Sequence, residues 1–276
     1  DFEPYEETSH IAPVVVFDRT ERGVVIIGAG LAGWAMVEAL RALDKDLRIT
    51  LISADNADRY HKPMLSVALS QGKGRAELVR ATGNQSALDN NIHLLANTYV
   101  TNIDTQTQSL HTTRGTVYYD KLILAIGATP AYPPTITKEM EWHISHLERL
   151  HKLKLRLDAP TNIAIIRAGM IGTELSEDLI KAGHKVDLID VHPRPLSSLL
   201  PAMAGERILT AIKALGVNWL GNSMVKGVTA NAHGYQIDLF NHDSQATSPL
   251  LVDEIIVATG LYVHERLPLR AILPFN

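Results

Sequence analysis

The chain has 276 residues, with 26 basic and 30 acidic side chains, a formal net charge of −4 and 46% hydrophobic residues. This composition is typical of a globular protein with a substantial core, and the lack of a basic surplus argues against nucleic acid or an anionic membrane as a partner. The sequence contains no cysteine, which excludes disulfides, thiolate metal sites and a dithiol redox pair in this chain. Redox chemistry would therefore have to be carried by a bound cofactor.

Residues 1–22 are polar, acidic at their start and interrupted by two prolines, and we interpret them as a linker. They lack the positively charged start and apolar run of a signal peptide. The apolar runs elsewhere have strand length, well below the roughly 20 residues of a membrane-spanning helix. We therefore expect no membrane partner. We also expect a cytoplasmic protein and a monomer.

A βαβ unit is predicted at the start of the folded region. Val24 to Ile27 has the pattern of a buried strand, Leu31 to about Leu43 that of an amphipathic helix, and Leu47 to Ile52 that of a second strand. The turn between the first strand and the helix reads Gly28-Ala29-Gly30-Leu31-Ala32-Gly33. A G-x-G-x-x-G sequence carries meaning in this strand–helix context and predicts a dinucleotide-binding turn.

Each glycine of this turn has its own expected role. Gly28 permits the tight turn, Gly30 lets the backbone approach a diphosphate, and Gly33 lets the helix pack closely on the strand. The helix N-terminus would supply N–H groups and partial positive charge to the phosphates. A tight turn without a ligand is the alternative. Ser53 occupies the place of the usual ribose-binding acid, with Asp55 two residues later, which weakens NAD and leaves FAD open for this half.

A second βαβ unit follows, with strands at Ile163–Ile166 and Val186–Ile189 and a helix at Glu174–Ala182. Its turn keeps the second and third glycines, Gly169 and Gly172, but has Arg167 in place of the first.

A non-glycine residue at the first position is expected to require a negative φ. Asp190 ends the second strand, where a carboxylate binds the 2′-hydroxyl of NADH and repels the 2′-phosphate of NADPH. His192 and Arg194 follow closely and leave some tolerance of NADPH open. A Rossmann-like unit that no longer binds a nucleotide is the alternative.

Both βαβ units are followed by a similar closing segment, at Tyr118–Pro130 and Leu251–Gly260. This repetition predicts an α/β protein with two Rossmann-like nucleotide-binding domains in tandem. The predicted division is 23–132 for the first part of an FAD-binding domain, 133–255 for an inserted NAD-binding domain, and 256–276 for an incomplete return to the FAD domain.

The segment LISADNADRYHKPMLS, residues 51–66, resembles the FAD-dependent pyridine nucleotide-disulfide oxidoreductases, and more narrowly the rubredoxin–NAD reductases. Val67 stands where related ferredoxin reductases have a lysine, which favours the rubredoxin reductase type. The resemblance implies that Lys62 and Pro63 lie along the isoalloxazine, with Lys62 stabilising negative charge on the reduced ring. A surface lysine before a helix is the alternative for Lys62.

The resemblance extends over about residues 23–262 and assigns further positions. Val100 would meet the FAD adenine through its backbone, and Glu174 would lie near the nicotinamide, although stabilisation of the helix start by its charge is an equal alternative. The predicted catalytic residues are Lys62 and Glu174. The predicted cofactor-binding residues are Gly28, Ala29, Gly30, Leu31, Ala32, Gly33, Ser53, Ala54, Lys62, Pro63, Val100, Ala125, Gly127, Gly169, Met170, Ile171, Gly172, Asp190, Thr259 and Gly260.

The resemblance implies a reductase that passes electrons from NADH through FAD to rubredoxin or a similar small electron carrier. A reductase for a ferredoxin, nitrite or nitric oxide system and a non-catalytic nucleotide-binding fragment are the alternatives. Residues 1–7 are similar to the tail of a rubredoxin, which suggests descent from a fusion. Relatives also continue into a C-terminal interface domain, which is expected to be absent here. His143, His146 and His151 are expected on a solvated helix, and no metal site is predicted.

Overall fold

The computed structural model describes residues 22–137, 140, 142–263, 267–268 and 271, so that residues 1–21 of the predicted linker or rubredoxin-like tail lie outside the described residues. The strands are β1 (Val24–Ile27), β2 (Ile49–Ile52), β3 (Arg59–Tyr60), β4 (Val79–Ala81), β5 (His93–Leu95), β6 (Val100–Asp104), β7 (Ser109–Thr112), β8 (Gly115–Tyr118), β9 (Lys121–Leu124), β10 (Ala128–Pro130), β11 (Asn162–Ile166), β12 (Lys185–Ile189), β13 (Asn218–Leu220), β14 (Ser223–Asn231), β15 (Gly234–Asn241), β16 (Ala246–Val252), β17 (Glu254–Val257) and β18 (Leu261–Val263). The α-helices are α1 (Leu31–Leu43), α2 (Arg75–Leu78), α3 (Gly83–Asp89), α4 (Leu147–Arg156), α5 (Met170–Lys181) and α6 (Ala202–Ala214), and Lys62–Val67 forms a 3₁₀-helix.

The chain divides into two compact units. Of the described residues, the first unit contains 22–59, 80–127, 263, 267–268 and 271, and the second contains 60–79, 128–137, 140 and 142–262. This division differs from the predicted boundaries at three places. The first boundary follows Gly127 rather than residue 132. The second unit continues to Tyr262 rather than 255, because β17 pairs with β11, and it also includes residues 60–79.

The first unit is built on a parallel sheet of order β5-β2-β1-β9. The residues of β1 are all buried and alternate between two cores, as the period of two in a strand requires. Val24 and Ile26 pack with Trp34 of α1 on one face. Val25 and Ile27 pack on the other face against the three-stranded antiparallel sheet β6-β7-β8.

The second unit repeats this architecture around a parallel sheet of order β13-β12-β11-β17. Ile163 and Ile165 of β11 pack with Leu175 and Leu179 of α5. Ala164 and Ile166 pack on the opposite face against the antiparallel sheet β14-β15-β16. The predicted α/β class with two Rossmann-like units is therefore confirmed.

Some predictions for single helices and residues are confirmed and others are wrong. Helix α1 has the predicted bounds, whereas α5 begins at Met170, four residues before the predicted start, because the helix follows directly on Gly169. The prediction that His143 lies on a solvated helix is wrong. His143 precedes α4 and is only 4% exposed, while His146 is the N-cap of that helix. None of the described helices has both the length and the apolar character needed to cross a bilayer.

Candidate nucleotide-binding turns

The first glycine turn connects β1 to α1 in a geometry that two of its glycines make possible. Gly28 has a φ of +105°, and its N–H donates to Ile52 C=O at 2.8 Å. A Cβ at Gly28 would lie 2.2 Å from the carbonyl oxygen of Ala125, and one at Gly33 would lie 1.9 Å from that of Gly28. Packing alone therefore requires glycine at both positions.

Gly30 differs from its two neighbours in the motif. Its φ is −74°, which any residue can adopt, and a Cβ there would meet no atom within 4 Å. Neither local conformation nor contact inside the protein accounts for glycine at this position. Open space in front of Gly30 is the arrangement that lets a diphosphate approach the backbone closely.

The start of α1 presents unpaired backbone donors toward ligands. Gly30 is the N-cap, and no described side chain caps the first turn. Ala29 is partly buried, whereas Leu31, the first helical residue, is 86% exposed. The first four N–H groups of a helix have no partner within the helix, and together with the helix dipole they form an anion-binding site. The first turn therefore fits the diphosphate of a dinucleotide.

The turn between β11 and α5 repeats this geometry. Gly169 is the N-cap of α5, has a φ of −75° and has no side-chain cap among the described residues. A Cβ at Gly169 would meet no atom within 4 Å, whereas one at Gly172 would lie 2.0 Å from the carbonyl oxygen of Arg167. Met170 is exposed and Ile171 is half-buried in the first helical turn. The second turn fits a diphosphate by the same criteria as the first.

The expected negative φ at Arg167 is wrong. Its φ is +82°, in the left-handed region that favours glycine. The turn nevertheless keeps its hydrogen bond, since the Arg167 N–H donates to Ile189 C=O at 2.8 Å, as Gly28 does to Ile52. The guanidinium donates to Thr259 C=O at 2.7 Å.

The residues after the second strand of each unit differ in chemistry. Ser53 is buried, and its hydroxyl donates to the Asp55 carboxylate at 2.5 Å, while Ala54 is exposed. The loop after β2 thus places a carboxylate beside the serine that stands at the usual acid position.

Asp190, which follows β12, is 6% exposed and accepts the Ala168 N–H at 2.7 Å. It also binds the backbone and ring of His192, at 2.9 and 2.7 Å. Asp190, the predicted ribose-binding residue, is therefore hydrogen-bonded to the backbone of the glycine turn.

The segment predicted to lie along a flavin belongs to the second unit. Lys62 and Pro63 begin the 3₁₀-helix and are exposed, whereas Leu65 and Ser66 are buried. The Ser66 hydroxyl donates to the Glu174 carboxylate at 2.7 Å. Glu174 thus has a specific hydrogen-bond partner in this segment. It is the fifth residue of α5, beyond the first turn, so the alternative that its charge stabilises the helix start is wrong.

The remaining predicted residues lie at strand ends. Ala125 and Gly127 follow β9, and Gly127 has a φ of +67°. Thr259 and Gly260 follow β17, with the Thr259 hydroxyl hydrogen-bonded to Ala131 C=O. Val100 is the first residue of β6 and is half-buried.

Sequence reasoning missed one residue, Asp178. This buried carboxylate accepts the N–H groups of Leu69 and Ser70 at 3.0 and 3.1 Å. Its only signal in the sequence is a spacing of four residues from Glu174, which places both acids on one face of a helix.

The profile of the pyridine nucleotide-disulphide oxidoreductase family matches residues 22–272. The chain belongs to this family. Proteins of the pyridine nucleotide-disulphide oxidoreductase family use FAD and NAD(H), which agrees with the presence of two glycine turns of similar geometry in one chain.

One curated relative within the family is similar to this chain over most of its length. The chain is 35% identical over 254 residues to the nitric oxide reductase FlRd-NAD(+) reductase of Escherichia coli K12, a match that covers 92% of this chain and 66% of that protein. The chain thus spans slightly less than two thirds of the length of that curated relative.

Solved structures show the same fold. The putidaredoxin reductase–putidaredoxin complex aligns with a TM-score of 0.82 at 26% identity, over 92% of this chain and 62% of that one. A ferredoxin reductase from Rhodopseudomonas palustris aligns with a TM-score of 0.81 at 22% identity, over 92% and 63% respectively.

Proposed function

We propose that this chain is the nucleotide-binding part of an FAD-dependent reductase that takes electrons from NADH and passes them to rubredoxin or a similar small electron carrier. The observation that carries this proposal is the pair of glycine turns, at Gly30 and Gly169, each open in front of a helix start that no side chain in the described part of the chain caps. Bound FAD would supply the conversion of a two-electron donor into one-electron output.

The first unit would hold FAD. The amides at the start of α1 would bind its diphosphate, with the backbone approach at Gly30 fixing the phosphate position. Ser53 and Asp55, hydrogen-bonded to each other, would contact the adenosine ribose, and the backbone of Val100 would meet the adenine. Ala125 and Gly127 would shape the turn at the end of β9.

The second unit would hold NADH. The amides at the start of α5 would bind its diphosphate, and the carboxylate of Asp190 would accept a ribose hydroxyl while its charge disfavours a 2′-phosphate. Thr259 and Gly260 would border the site at the end of β17. Glu174, held by the Ser66 hydroxyl, would lie near the nicotinamide, and Lys62 would place its positive charge near the flavin ring.

The acceptor is proposed from the character of the relatives. The Escherichia coli relative is named as a reductase of FlRd, and the aligned putidaredoxin reductase was solved in complex with putidaredoxin. We propose that the electron acceptor of this chain is rubredoxin or a carrier of similar size. We also propose that the chain acts as a monomer in the cytoplasm. A reductase that serves a nitric oxide system is the second candidate, favoured by the name of the relative with 35% identity.

Paired substitutions at the two open glycines test the proposal. Because a Cβ at Gly30 or Gly169 meets no protein atom, Gly30→Val and Gly169→Val should fold normally yet obstruct a diphosphate. We expect Gly30→Val to lose flavin absorbance while retaining NADH binding, and Gly169→Val to retain flavin while losing NADH binding. Each variant is the control for the other.

The wild-type chain should oxidise NADH with a one-electron dye, and exchange of the dye for rubredoxin, ferredoxin or a nitric oxide reductase partner would distinguish the acceptors. A colourless wild-type chain that binds NADH would support a non-catalytic binding module instead. Wild-type behaviour of both valine variants would remove the two turns as cofactor sites.

A further inference from the structure

Arg167 occupies the position of the second glycine turn where the backbone has a positive φ, the conformation that favours glycine. In the first unit the corresponding residue, Gly28, has a φ of +105°, and Arg167 has a φ of +82°. Side chains with a Cβ rarely adopt this conformation, and residues that do so cluster at sites of function. The unit therefore keeps a long cationic side chain at a position where glycine would fit with less strain.

The guanidinium lies at the part of the sheet where ligands bind. Strand β11 is flanked by β12 on one side and β17 on the other. Strands β12 and β13 are added on one side of β11 and β17 on the other, so the order in which strands are added to the sheet changes direction between β11 and β17. Ligands of open α/β sheets bind at such a switch point, outside the carboxyl ends of the strands. Arg167 directly follows β11 and donates to the carbonyl of Thr259, beyond the end of β17, at 2.7 Å. Its side chain thus spans the crevice between the two strand ends.

The charge of Arg167 is available for an anion. The side chain is exposed, and it makes no ion pair with any acid among the described residues. The bond to Thr259 occupies one of the five N–H donors of a guanidinium, which are suited to bidentate binding of phosphate. A Cβ built on Gly260 would lie 3.8 Å from a guanidinium nitrogen of Arg167, and a Cβ built on Gly169, two residues after Arg167, would meet no atom within 4 Å.

We infer that Arg167 is a direct ligand of the dinucleotide diphosphate in the second unit, where its guanidinium adds a positive charge to the backbone amides of α5. This inference rests on the proposed function, since it assigns a contact to the proposed NADH site. The bond to Thr259 C=O holds the side chain across the crevice, so that the remaining donors face the phosphates.

The test measures binding to the purified full chain by isothermal titration calorimetry with two ligands, NADH and ADP-ribose, which share the diphosphate but not the nicotinamide. Arg167→Gln removes the charge and keeps a Cβ at positive φ, whereas Arg167→Gly removes both the charge and the strain. Lys185→Gln is the matched control, because Lys185 is an exposed cation at the first residue of β12, the opposite end of the strands.

We expect Arg167→Gln and Arg167→Gly to weaken both ligands roughly ten-fold at low salt, the size expected for loss of one charge-assisted contact, with Arg167→Lys intermediate. The salt dependence of binding should be weaker in Arg167→Gln than in the wild type. The melting temperature of Arg167→Gly should equal or exceed that of the wild type, so that its lower affinity is not a folding defect. Lys185→Gln should bind like the wild type.

Equal or tighter binding of both ligands by Arg167→Gln and Arg167→Gly, with intact electron transfer from NADH, would overturn the assignment of Arg167 alone. Loss of NADH affinity without loss of ADP-ribose affinity would also overturn it, because the contact would then be to the nicotinamide half. A wild-type chain that binds ADP-ribose through Arg167 but transfers no electrons would overturn the proposed function and leave the assignment standing. A wild-type chain that binds neither ligand would overturn both.

Discussion

The carboxylate of Asp178, buried in helix α5, accepts the backbone N–H of Leu69 at 3.0 Å. The same carboxylate accepts the N–H of Ser70 at 3.1 Å and its hydroxyl. One side chain thus satisfies three donors at the end of the segment that carries Lys62, and it fixes that segment on the helix that carries Glu174.

Removal of this carboxylate should destabilise the second unit. Asp178→Ala leaves the amides of Leu69 and Ser70 without their acceptor, and hydrogen bonds to a charged group contribute roughly 1.5–3 kcal/mol. We expect the free energy of unfolding in urea to fall by about 3 kcal/mol, and by less in Asp178→Asn. Glu177→Ala, at an exposed neighbour paired with Lys181, should change it by less than about 0.5 kcal/mol. Equal effects at 177 and 178 would contradict this account.

The two glycines of the second turn should respond differently to alanine. A Cβ at Gly172 would lie 2.0 Å from a backbone oxygen, whereas one at Gly169 meets nothing within 4 Å. Gly172→Ala should lower the free energy of unfolding by about 3 kcal/mol, since the helix must move away from the strand. Gly169→Ala should leave stability almost unchanged. Thermal unfolding followed by circular dichroism measures both, and similar melting temperatures of the two variants would be inconsistent with the geometry of the turn.

His143 should make stability depend on pH. Burial, with a smaller contribution from the charge of Arg149, lowers the pKa of its imidazole to about 4. Its ring nitrogen Nδ1 has no partner among the described residues, and a backbone hydrogen bond that favours the charged ring offsets only part of the cost of burial. The unfolded chain binds a proton below its ordinary pKa of 6.5, whereas the folded chain does so only near 4. Stability is therefore lost as the pH falls from 6.5 towards 4.

The comparison of wild type with His143→Phe isolates this contribution. Each pKa unit corresponds to about 1.4 kcal/mol. The stability of the wild type relative to His143→Phe should therefore fall by roughly 2 kcal/mol between pH 7 and pH 4.5. His151→Gln, at an exposed position of α4, should leave the pH dependence unchanged. A constant difference between wild type and His143→Phe across this range would show that the ring has the same pKa in the folded and unfolded chain, which would contradict this account.

Asp190 should determine the preference between NADH and NADPH. Asp190→Asn keeps an oxygen for the Ala168 N–H, which Asp190 accepts at 2.7 Å, but removes the negative charge that repels a 2′-phosphate. We expect the ratio of the NADPH affinity to the NADH affinity to rise about ten-fold, a change of about 1.4 kcal/mol. Asp187→Asn, three residues earlier on β12, is the matched control. An unchanged ratio in Asp190→Asn would remove this residue from the ribose site.

Local sequence was sufficient for the parts of the fold that depend on the spacing of apolar residues and on the glycines that end strands and begin helices. The bounds of α1 follow from an apolar stripe that begins directly after Gly30, and β1 and β11 follow from short apolar runs that end at a turn. The positions of both glycine turns, and the repetition of the βαβ unit, could be read in the same way. The start of α5 at Met170 could not be read in this way, because the helix includes Gly172 and glycine is a poor helix former.

What remained hidden depends on contacts between residues far apart in the chain. The positive φ of Arg167 accompanies a backbone hydrogen bond to Ile189 on the neighbouring strand. His143 is buried next to Trp142, which pairs with Ile256 of β17, and the role of Asp178 depends on donors more than 100 residues away. The assignment of residues 60–79 to the second unit has the same origin. The two glycine turns could be recognised from a few adjacent residues. The pairing of distant groups became visible only in the folded chain, because burial and long-range hydrogen bonds have no local signature in the sequence.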